Sequence, residues 1–518
     1  MRFLLLTYLI ILLPIVGWGQ ITPDTTQNVR AVIPDSVFGR INNTDSQIFQ
    51  YYNVATGKGR IHYYNFDSDL FSYSYGATAH SSLKPTTQNS QFQYLQRDLN
   101  ASNMRPLFDF NGFGSNPNNG DFEMGYRTGA GVQWQGYYKD QWNIHLAGVQ
   151  GIYDGDSSYR PRAYFNWREG NTNLYTDLRS RISFSPNKIF NFQAGIDHNF
   201  IGEGSRSLFL SDYGNPYPFG LIRAEFWRLE YVVLYQFMRE GSQGNWNPKF
   251  SSSHHISFNA APWLNIGVFE TVIFNPRDTL LNRGFEVEYL NPVVFYRPQE
   301  YAVGSADNVL LGLDLTSKLE HFTLYSQFII DEFFLSEIRE RTGWWANKFG
   351  GQLGVKANFS KGDHLFFTRA EMNFVRPYTY THLNDKLNHG NQGRPLAHPY
   401  GANFAEVLGE VRWAKDNWRG HFFVNYAQRG GDTDSLNYGA DIYLPYINRP
   451  YERGHFIGQG NATHTMLFRW RIARKLPKVY NVSAFAEYNL RYTVQSNSTQ
   501  HLVSVGLRTN LWNDYRNY

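Results

Sequence analysis

The sequence of 518 residues contains no cysteine. This excludes disulfide bonds, thiolate metal sites, a cysteine nucleophile and a lipoprotein anchor. After the N-terminus the chain also lacks any apolar run of about 18 residues, so no transmembrane helix is predicted for the mature protein. Positive and negative charges nearly balance, at a formal net charge of +4. Composition therefore gives no argument for nucleic acid as a partner, and none is predicted.

Recognised catalytic motifs are missing as well. The chain has no GxSxG, HExxH or P-loop pattern, and no GxGxxG following a strand. The stretch GEGSR, residues 202–206, resembles a nucleophile loop, but Ser205 is not followed by the second glycine that such a loop needs. Anion binding there would need a helix N-terminus, and no helical pattern follows. We therefore predict no catalytic residues, no cofactor and no enzymatic activity.

The N-terminus has the organisation of an export signal. Arg2 is followed by an apolar stretch at residues 3–16, and Gly17-Trp18-Gly19 places small residues before Gln20. We predict a cleaved signal peptide over residues 1–19. A permanent membrane anchor is the alternative, but about 14 apolar residues are short for a span of roughly 20. Residues 20–100, rich in Thr, Asn, Gln, Ser and Tyr, are predicted to form a periplasmic or luminal extension, with additional strands as an alternative.

The rest of the chain, residues 101–518, alternates between two faces with a period of two. In the segment 364–374, Phe366, Ala370 and Phe374 face one way, while Arg369 and Glu371 face the other. Such alternation is typical of strands with one apolar and one polar side. A soluble sandwich also alternates. However, strands of about 10 to 14 residues, aromatic residues at strand ends and alternating short and long connections favour an outer-membrane barrel.

We therefore predict an all-β fold, a transmembrane antiparallel β-barrel. Seventeen strands are predicted from residue 121, and strand parity requires one more near 100–112. The total is eighteen, with both ends on the periplasmic side and sixteen strands as the alternative. The long external connections are predicted at 155–176, 201–219, 240–251, 275–306, 332–347, 375–403, 430–461 and 494–499.

The segment 375–406 is the densest in groups that bind ligands. Its histidines and carboxylates, including His389 and Asp385, could build a metal site, but their spacing does not favour one, and no metal is predicted. Its aromatic rings and planar polar groups are the types that recognise sugars. With two charges from the 201–219 loop, the predicted ligand-binding residues are Arg206, Asp212, Arg376, Tyr378, Tyr380, His382, His398, Tyr400, Asn403 and Glu406.

Two further patterns concern the lumen. Leu208-Phe209-Leu210 require burial, so the 201–219 loop is predicted to fold inward as a constriction or lid. Charges of both signs are predicted to face inward, which suits either a lumen closed by ion pairs or a water-filled selective pore. These charges are Lys356, Arg369, Glu371, Glu406, Glu410, Arg412, Arg469, Arg471, Glu487, Arg491 and Arg508.

Three stretches carry a family resemblance. They are NFIGEGSRSLFLSDYGNPYPFGLIRAEFWRLEY (199–231), NPVVFYRPQEYAVGSADNVLLGLDL (291–315) and VRPYTYTHLNDKLNHGNQGRPLAHPYGANFAE (375–406). The chain resembles the Wzi-like capsule-assembly family of outer-membrane barrels, and more narrowly its gliding motility branch, the RemB-like proteins. The resemblance implies an 18-stranded barrel in the outer membrane. Its implied partners are outer-membrane lipid, surface polysaccharide, and the gliding or secretion machinery.

Overall fold

The structure is a computed structural model. It describes residues 101–116, 120–138, 141–156, 160–161, 163–169, 172–187, 189–242, 245–261, 263–276, 287–290, 307–319, 322–476 and 482–509. The predicted signal peptide and the predicted extension over residues 20–100 lie outside these residues. The middle stretch of the family resemblance is described only from residue 307 onward.

Strands are the main regular secondary structure of the described chain. In chain order the strands are β1 (Ala101–Ser115), β2 (Glu123–Tyr138), β3 (Trp142–Asp154), β4 (Phe165–Glu169), β5 (Thr172–Phe184), β6 (Phe190–Asp197), β7 (Tyr217–Phe226), β8 (Leu229–Ser242), β9 (Asn245–Ala261), β10 (Leu264–Phe274), β11 (Asn308–Lys318), β12 (Thr323–Glu332), β13 (Lys348–Lys361), β14 (His364–Val375), β15 (Gly390–Asn391), β16 (Arg394–Pro395), β17 (Phe404–Lys415), β18 (Trp418–Arg429), β19 (Thr463–Lys475), β20 (Ser483–Thr493) and β21 (Ser498–Arg508).

Eighteen of these strands form one closed antiparallel barrel. Each pairs with its neighbours around the ring, and β1 pairs with β21, with Asp109 opposite Arg508, to close it. The three others stand outside this ring: β4 pairs only with β5, while β15 and β16 form a small hairpin. The predicted fold class and the count of eighteen strands are confirmed, including the strand expected near 100–112.

The described residues contain little helix. One short α-helix, α1 (Leu335–Arg339), lies between β12 and β13. Single 3-10 turns occur at Val287–Leu290, Asp385–Leu387 and Tyr446–Asn448. Among the described residues, none of the helices has the length and apolar character needed to cross a membrane.

The outer face of the barrel is apolar and partly aromatic. Leu353, Val407 and Trp470 on this face are each about half exposed. At the short-turn end, Trp142 stacks on Phe184 with ring centroids 4.3 Å apart. Such an apolar band with aromatic residues at its edge is what contact with a lipid bilayer requires.

The connections alternate in length as expected. Residues 227–228, 362–363 and 416–417 make tight turns at one end, and residues 198–216, 333–347, 376–403 and 430–462 make long loops at the other. The prediction of a long loop at 240–251 is wrong. Its Gly, Ser, Asn and Pro residues favour turns, but the β8–β9 ladder continues to Ser242 opposite Asn245. Two other predicted long connections also differ from the structure. The one at 155–176 contains β4, and the one at 494–499 is only a tight turn at residues 494–497.

The predicted inward charges face the lumen, where all are buried except Arg491, which is half-buried. Arg469 reaches Glu487 at 2.8 Å, and Arg369 reaches Glu410 at 3.3 Å. Pairing of this kind offsets the large cost of removing charges from water. The described wall therefore presents a lattice of ion pairs to the interior of the barrel.

Candidate functional site in the luminal and outer loops

The loop at residues 198–216, here called the first luminal loop, folds inside the barrel as predicted. Leu208, Phe209 and Leu210 are fully buried in the largest apolar cluster. Phe209 stacks on Phe269 of β10 with ring centroids 4.7 Å apart. The Gln327 side chain of β12 donates to the Ile201 carbonyl at 3.0 Å and accepts from the Leu208 N–H at 2.8 Å. The loop is therefore fixed to the wall by apolar packing and hydrogen bonds.

The glycine-rich start of this loop binds an anion that belongs to the protein. The backbone N–H groups of Ser205 and Arg206 donate to the two carboxylate oxygens of Glu371, at 2.7 and 3.2 Å. Tyr325 donates its hydroxyl hydrogen to the same carboxylate at 2.7 Å. A Cβ at Gly204 would lie 2.5 Å from Glu371 Oε2, so only glycine allows this approach. The resemblance to an anion-binding loop thus reflects a structural contact with β14.

A second carboxylate, Glu406 of β17, joins the two luminal loops. Arg206 from the first loop lies 3.3 Å from Glu406 Oε1, and His398 Nε2 lies 2.8 Å from Glu406 Oε2. Asn373 donates to Glu406 at 3.0 Å, and Asn425 also donates to it. Glu406 is fully buried, and these groups satisfy its charge from four directions. Removing it would leave a buried guanidinium without its main partner.

The loop at residues 376–403, here called the second luminal loop, packs directly on the first. The Tyr380 hydroxyl donates to the Leu208 carbonyl at 2.8 Å, and His389 Nε2 lies 2.8 Å from the Phe209 carbonyl. The Ser211 N–H donates to the Leu396 carbonyl at 2.8 Å. The first two bonds satisfy the buried carbonyls of Leu208 and Phe209, and all three join the two loops into one packed unit within the lumen.

The ten predicted ligand-binding residues fall into two groups. Arg206, His398, Tyr400 and Glu406 meet at the junction of the two loops, and Asp212 is buried in the first loop. The others lie in or beside the second loop and hold it: Arg376 donates to the Asn347 carbonyl, Tyr378 to the Asn437 carbonyl and Asn403 to the Tyr438 carbonyl, while Tyr380 bonds Leu208 and His382 Nδ1 accepts from the Asn384 N–H. Contact with a ligand stays a prediction for all ten.

Burial shifts the titration of the loop residues. It lowers the pKa of His389 to about 4. It also lowers the pKa of His398, although the neighbouring Glu406 carboxylate opposes that shift. Burial raises the pKa of Tyr400 to about 12. His389 is therefore neutral at pH 7 and donates one hydrogen bond to the Phe209 carbonyl.

The second luminal loop does not assemble a metal site from its histidines. His389 bonds a backbone carbonyl, His398 bonds Glu406, and the half-buried His382 bonds Asn384. Within the described parts of the chain, no group of three His, Asp or Glu side chains is arranged to hold a metal ion.

A cluster of aromatic rings and cations on the outer loops was missed by the sequence analysis. Trp345 lies 4.6 Å from Tyr446 between ring centroids, with the Arg449 guanidinium 4.4 Å above the Trp345 ring. Lys348 Nζ lies 4.5 Å from the Tyr446 ring, and Trp344 is partly exposed beside this group. We call these five residues the outer aromatic cluster. The Trp-Trp doublet in TGWWANK, residues 342–348, was the available signal.

Comparison with solved structures supports the fold. The chain is similar to Wzi of Escherichia coli, an outer-membrane protein involved in group 1 capsule assembly and a carbohydrate-binding β-barrel. The two share 16% sequence identity with a TM-score of 0.52, over 78% of this chain and 85% of that one. This similarity shows the fold, that of an outer-membrane β-barrel.

Two other structures have lower scores. The outer membrane protein OpdK of Pseudomonas aeruginosa is 7% identical, with a TM-score of 0.43 over 80% of this chain and 99% of that one. OccAB2 of Acinetobacter baumannii is 8% identical, with a TM-score of 0.44 over 80% and 98%. Scores below 0.5 support no conclusion about function. No protein-family model matches the chain, and no curated protein sequence matches it.

Proposed function

We propose that this protein is a non-enzymatic outer-membrane barrel that binds cell-surface polysaccharide on its outer loops. The main support is its fold similarity to Wzi, a carbohydrate-binding barrel, over most of both chains. In this proposal a cleaved signal peptide directs the chain to the outer membrane. Its role is either capsule attachment or, as in the RemB-like branch that three of its stretches resemble, gliding motility.

The partly exposed members of the outer aromatic cluster form the proposed contact surface: Trp344, Trp345, Tyr446 and Arg449. Lys348, the fifth member, is buried against the Tyr446 ring. Flat aromatic faces stack on the apolar faces of sugar rings, and adjacent cations and amides bond to sugar hydroxyl or carboxylate groups. Trp344 and Trp345 are partly exposed in the 333–347 loop, just before β13, so part of each ring is open to contact. The buried Glu406 and its partners would then act indirectly, by fixing the second luminal loop. Tyr378 of that loop packs edge-on against Trp345, with ring centroids 6.0 Å apart.

A pull-down of the producer's own polysaccharide by the purified barrel tests this function. We expect binding by the wild-type protein and a loss of about tenfold in affinity when Trp344→Ala and Trp345→Ala are combined. Each lost ring removes about 0.5–1.5 kcal/mol of stacking, and about 1.4 kcal/mol corresponds to a tenfold change in Kd. Trp418→Ala, at the short-turn end, is the matched control and should bind normally. A correctly folded wild-type barrel that binds none of this polysaccharide would refute the proposal.

The alternative is a substrate-selective channel. The two packed luminal loops weigh against it, because they bury side chains from several sides of the barrel interior. Steady conductance of the wild-type barrel in planar lipid bilayers would favour the channel over the polysaccharide-binding scaffold.

A further inference from the structure

The nine residues that follow β12, FFLSEIRER at 333–341, form an exposed segment at the outer edge of the barrel wall, here called the rim segment. Its first three residues, Phe333, Phe334 and Leu335, are 42%, 56% and 49% exposed. The segment continues into α1, which buries none of its residues. Three large apolar side chains in succession are unfavourable on a surface that meets only water, so this run indicates contact with an apolar partner.

The height of the rim segment along the wall places it at the edge of the lipid-facing band. Phe322, just before β12, and Phe333, just after it, are 41% and 42% exposed. They are eleven residues apart, which at about 3.3 Å per residue and a strand tilt of about 40° gives about 28 Å along the membrane normal. The apolar band of an outer-membrane barrel is about 25 Å tall. Phe333 therefore lies level with the outer headgroups, where the rim segment continues the surface that the bilayer covers.

Contacts with neighbouring residues fix the rim segment in place. The Phe334 N–H donates to Asn347 Oδ1 at 2.7 Å, and the Phe334 ring packs edge-on against Trp344 with ring centroids 4.7 Å apart. Glu337 pairs with Arg453 of the 430–462 loop at 2.6 Å. The exposed apolar residues thus belong to a segment that is held on two sides.

The charges of the rim segment leave two guanidinium groups available. The hydrogen bond from Glu337 and, more weakly, the charge of Glu340 raise the pKa of Arg453, so both carboxylates act on this one arginine. Arg339 and Arg341 are exposed, and within the part of the chain that the structure describes neither guanidinium has a hydrogen-bond or ion-pair partner. Three arginines and two glutamates give this group a net charge of +1. An amphiphile with an anionic headgroup complements such a surface.

We propose that the rim segment binds lipopolysaccharide of the outer leaflet, with Arg339 and Arg341 on the phosphates of its lipid A and with Phe333 and Leu335 beside its acyl chains. A guanidinium can bond two phosphate oxygens at once, and apolar side chains at the same height pack on methylene groups. A neutral glycan offers neither an anionic nor an acyl part. Phospholipids offer both, but lipopolysaccharide is the lipid of the outer leaflet, which is the leaflet at the long-loop end.

This site is additional to the proposed polysaccharide surface and depends only on the outer-membrane location. Native mass spectrometry of the detergent-solubilised barrel tests it with three lipids: bisphosphorylated lipid A, the same lipid without its phosphates, and phosphatidylglycerol. We expect the wild-type barrel to bind bisphosphorylated lipid A at least about tenfold more tightly than either of the others. Equal affinity for the lipid without phosphates, or for phosphatidylglycerol, would overturn the proposal without any variant.

The double substitution Arg339→Gln and Arg341→Gln should weaken binding of bisphosphorylated lipid A about thirtyfold, because two cations are removed from the height of the phosphates. Arg228→Gln combined with Lys361→Gln is the matched control, since it removes two exposed cations at short turns on the other end of the barrel. The control should bind as the wild type does. Resistance of each barrel to SDS without heating checks that the variants fold. Equal affinities of the rim variant and the control would contradict the proposal.

The polysaccharide pull-down separates this site from the proposed function. The rim variant should still bind polysaccharide, because the outer aromatic cluster is unchanged. A rim variant that binds lipid A normally but loses polysaccharide would assign Arg339 and Arg341 to the polysaccharide surface and overturn this inference. A wild-type barrel that prefers bisphosphorylated lipid A but binds no polysaccharide would support this inference and refute the proposed function alone.

Discussion

At Glu371, a buried carboxylate occupies the position that a bound anion would take beside the glycines at 202–204. The Ser205 and Arg206 N–H groups point at its oxygens. The sequence predicted no catalytic role for Ser205, but it gave no means of finding the partner of its N–H group, which lies 166 residues away on β14. The inward direction predicted for the charged residues of β14 and β17 is confirmed, because strand alternation fixes the face on which each residue lies. Their partners depend on how the loops fold, which local pattern does not encode.

The first prediction concerns Glu371→Gln. An amide has one acceptor oxygen where the carboxylate has two, so at least one loop N–H loses its partner, at a cost of about 1–3 kcal/mol. We expect faster cleavage of the first luminal loop by protease added to intact vesicles. Glu337→Gln, on an exposed ion pair with Arg453, is the control and should change cleavage little. Equal cleavage rates in wild type and Glu371→Gln would contradict the role given to this carboxylate.

The second prediction concerns the stability of the second luminal loop at acidic pH. Because burial lowers the pKa of His389 from 6.5 to about 4, the packed loop favours the neutral ring. Its contribution to loop stability is complete above about pH 6.5 and is lost as the pH falls towards 4, by about 3 kcal/mol in total. Hydrogen exchange of the second luminal loop, corrected for intrinsic rates, should therefore accelerate between pH 6.5 and 4.

The matched variant His389→Gln keeps a donor for the Phe209 carbonyl but does not titrate. Its loop should show a smaller acceleration over the same pH range, whereas His364→Gln, at the short-turn end of β14, should behave as the wild type does. An unchanged pH dependence in His389→Gln would show that other groups cause the acid effect.

At the scale of elements, the two luminal loops act as one packed unit. Burial of Leu208-Phe209-Leu210 was predictable, since three large apolar residues in a glycine- and proline-containing loop need an interior. The supporting role of Tyr378, Tyr380 and Asn403 was not predictable. It depends on backbone at positive φ, of 65°, 70° and 56°, which tyrosine rarely adopts and which no sequence pattern marked. Their aromatic and amide groups suggested sugar contacts in the sequence, while the structure shows their hydrogen bonds to neighbouring loops.

The third prediction tests the fit between the first luminal loop and β14. Gly204→Val places atoms where Glu371 Oε2 and the Arg206 carbonyl lie within 2.5 Å, so the loop must shift. We expect destabilisation of about 1–3 kcal/mol, seen as a lower temperature for loss of SDS-resistant mobility. Gly112→Ala, where nothing lies within 4 Å of the added Cβ, is the control. A Gly204→Val barrel as stable as the control would mean that the loop has room beside Glu371.

At the scale of the whole molecule, strand parity and alternation predicted the architecture. Three features follow from a period of two repeated along the chain. They are the eighteen strands, the apolar outer face, and the position of the first and last residues of the barrel on the short-turn side. The extended β8–β9 hairpin did not follow, because turn-favouring residues at 240–251 continue a ladder that runs from Leu229 opposite Phe258 to Ser242 opposite Asn245.

We propose that the packed luminal loops close the barrel, so that the outer loops form the surface that binds polysaccharide. Conductance of the wild-type barrel in planar lipid bilayers tests it most directly, beside a Glu406→Leu variant that removes the partner of Arg206 and His398. We expect no steady conductance steps for the wild type and intermittent opening for Glu406→Leu. Stable, open-channel steps in the wild type at neutral pH would contradict it.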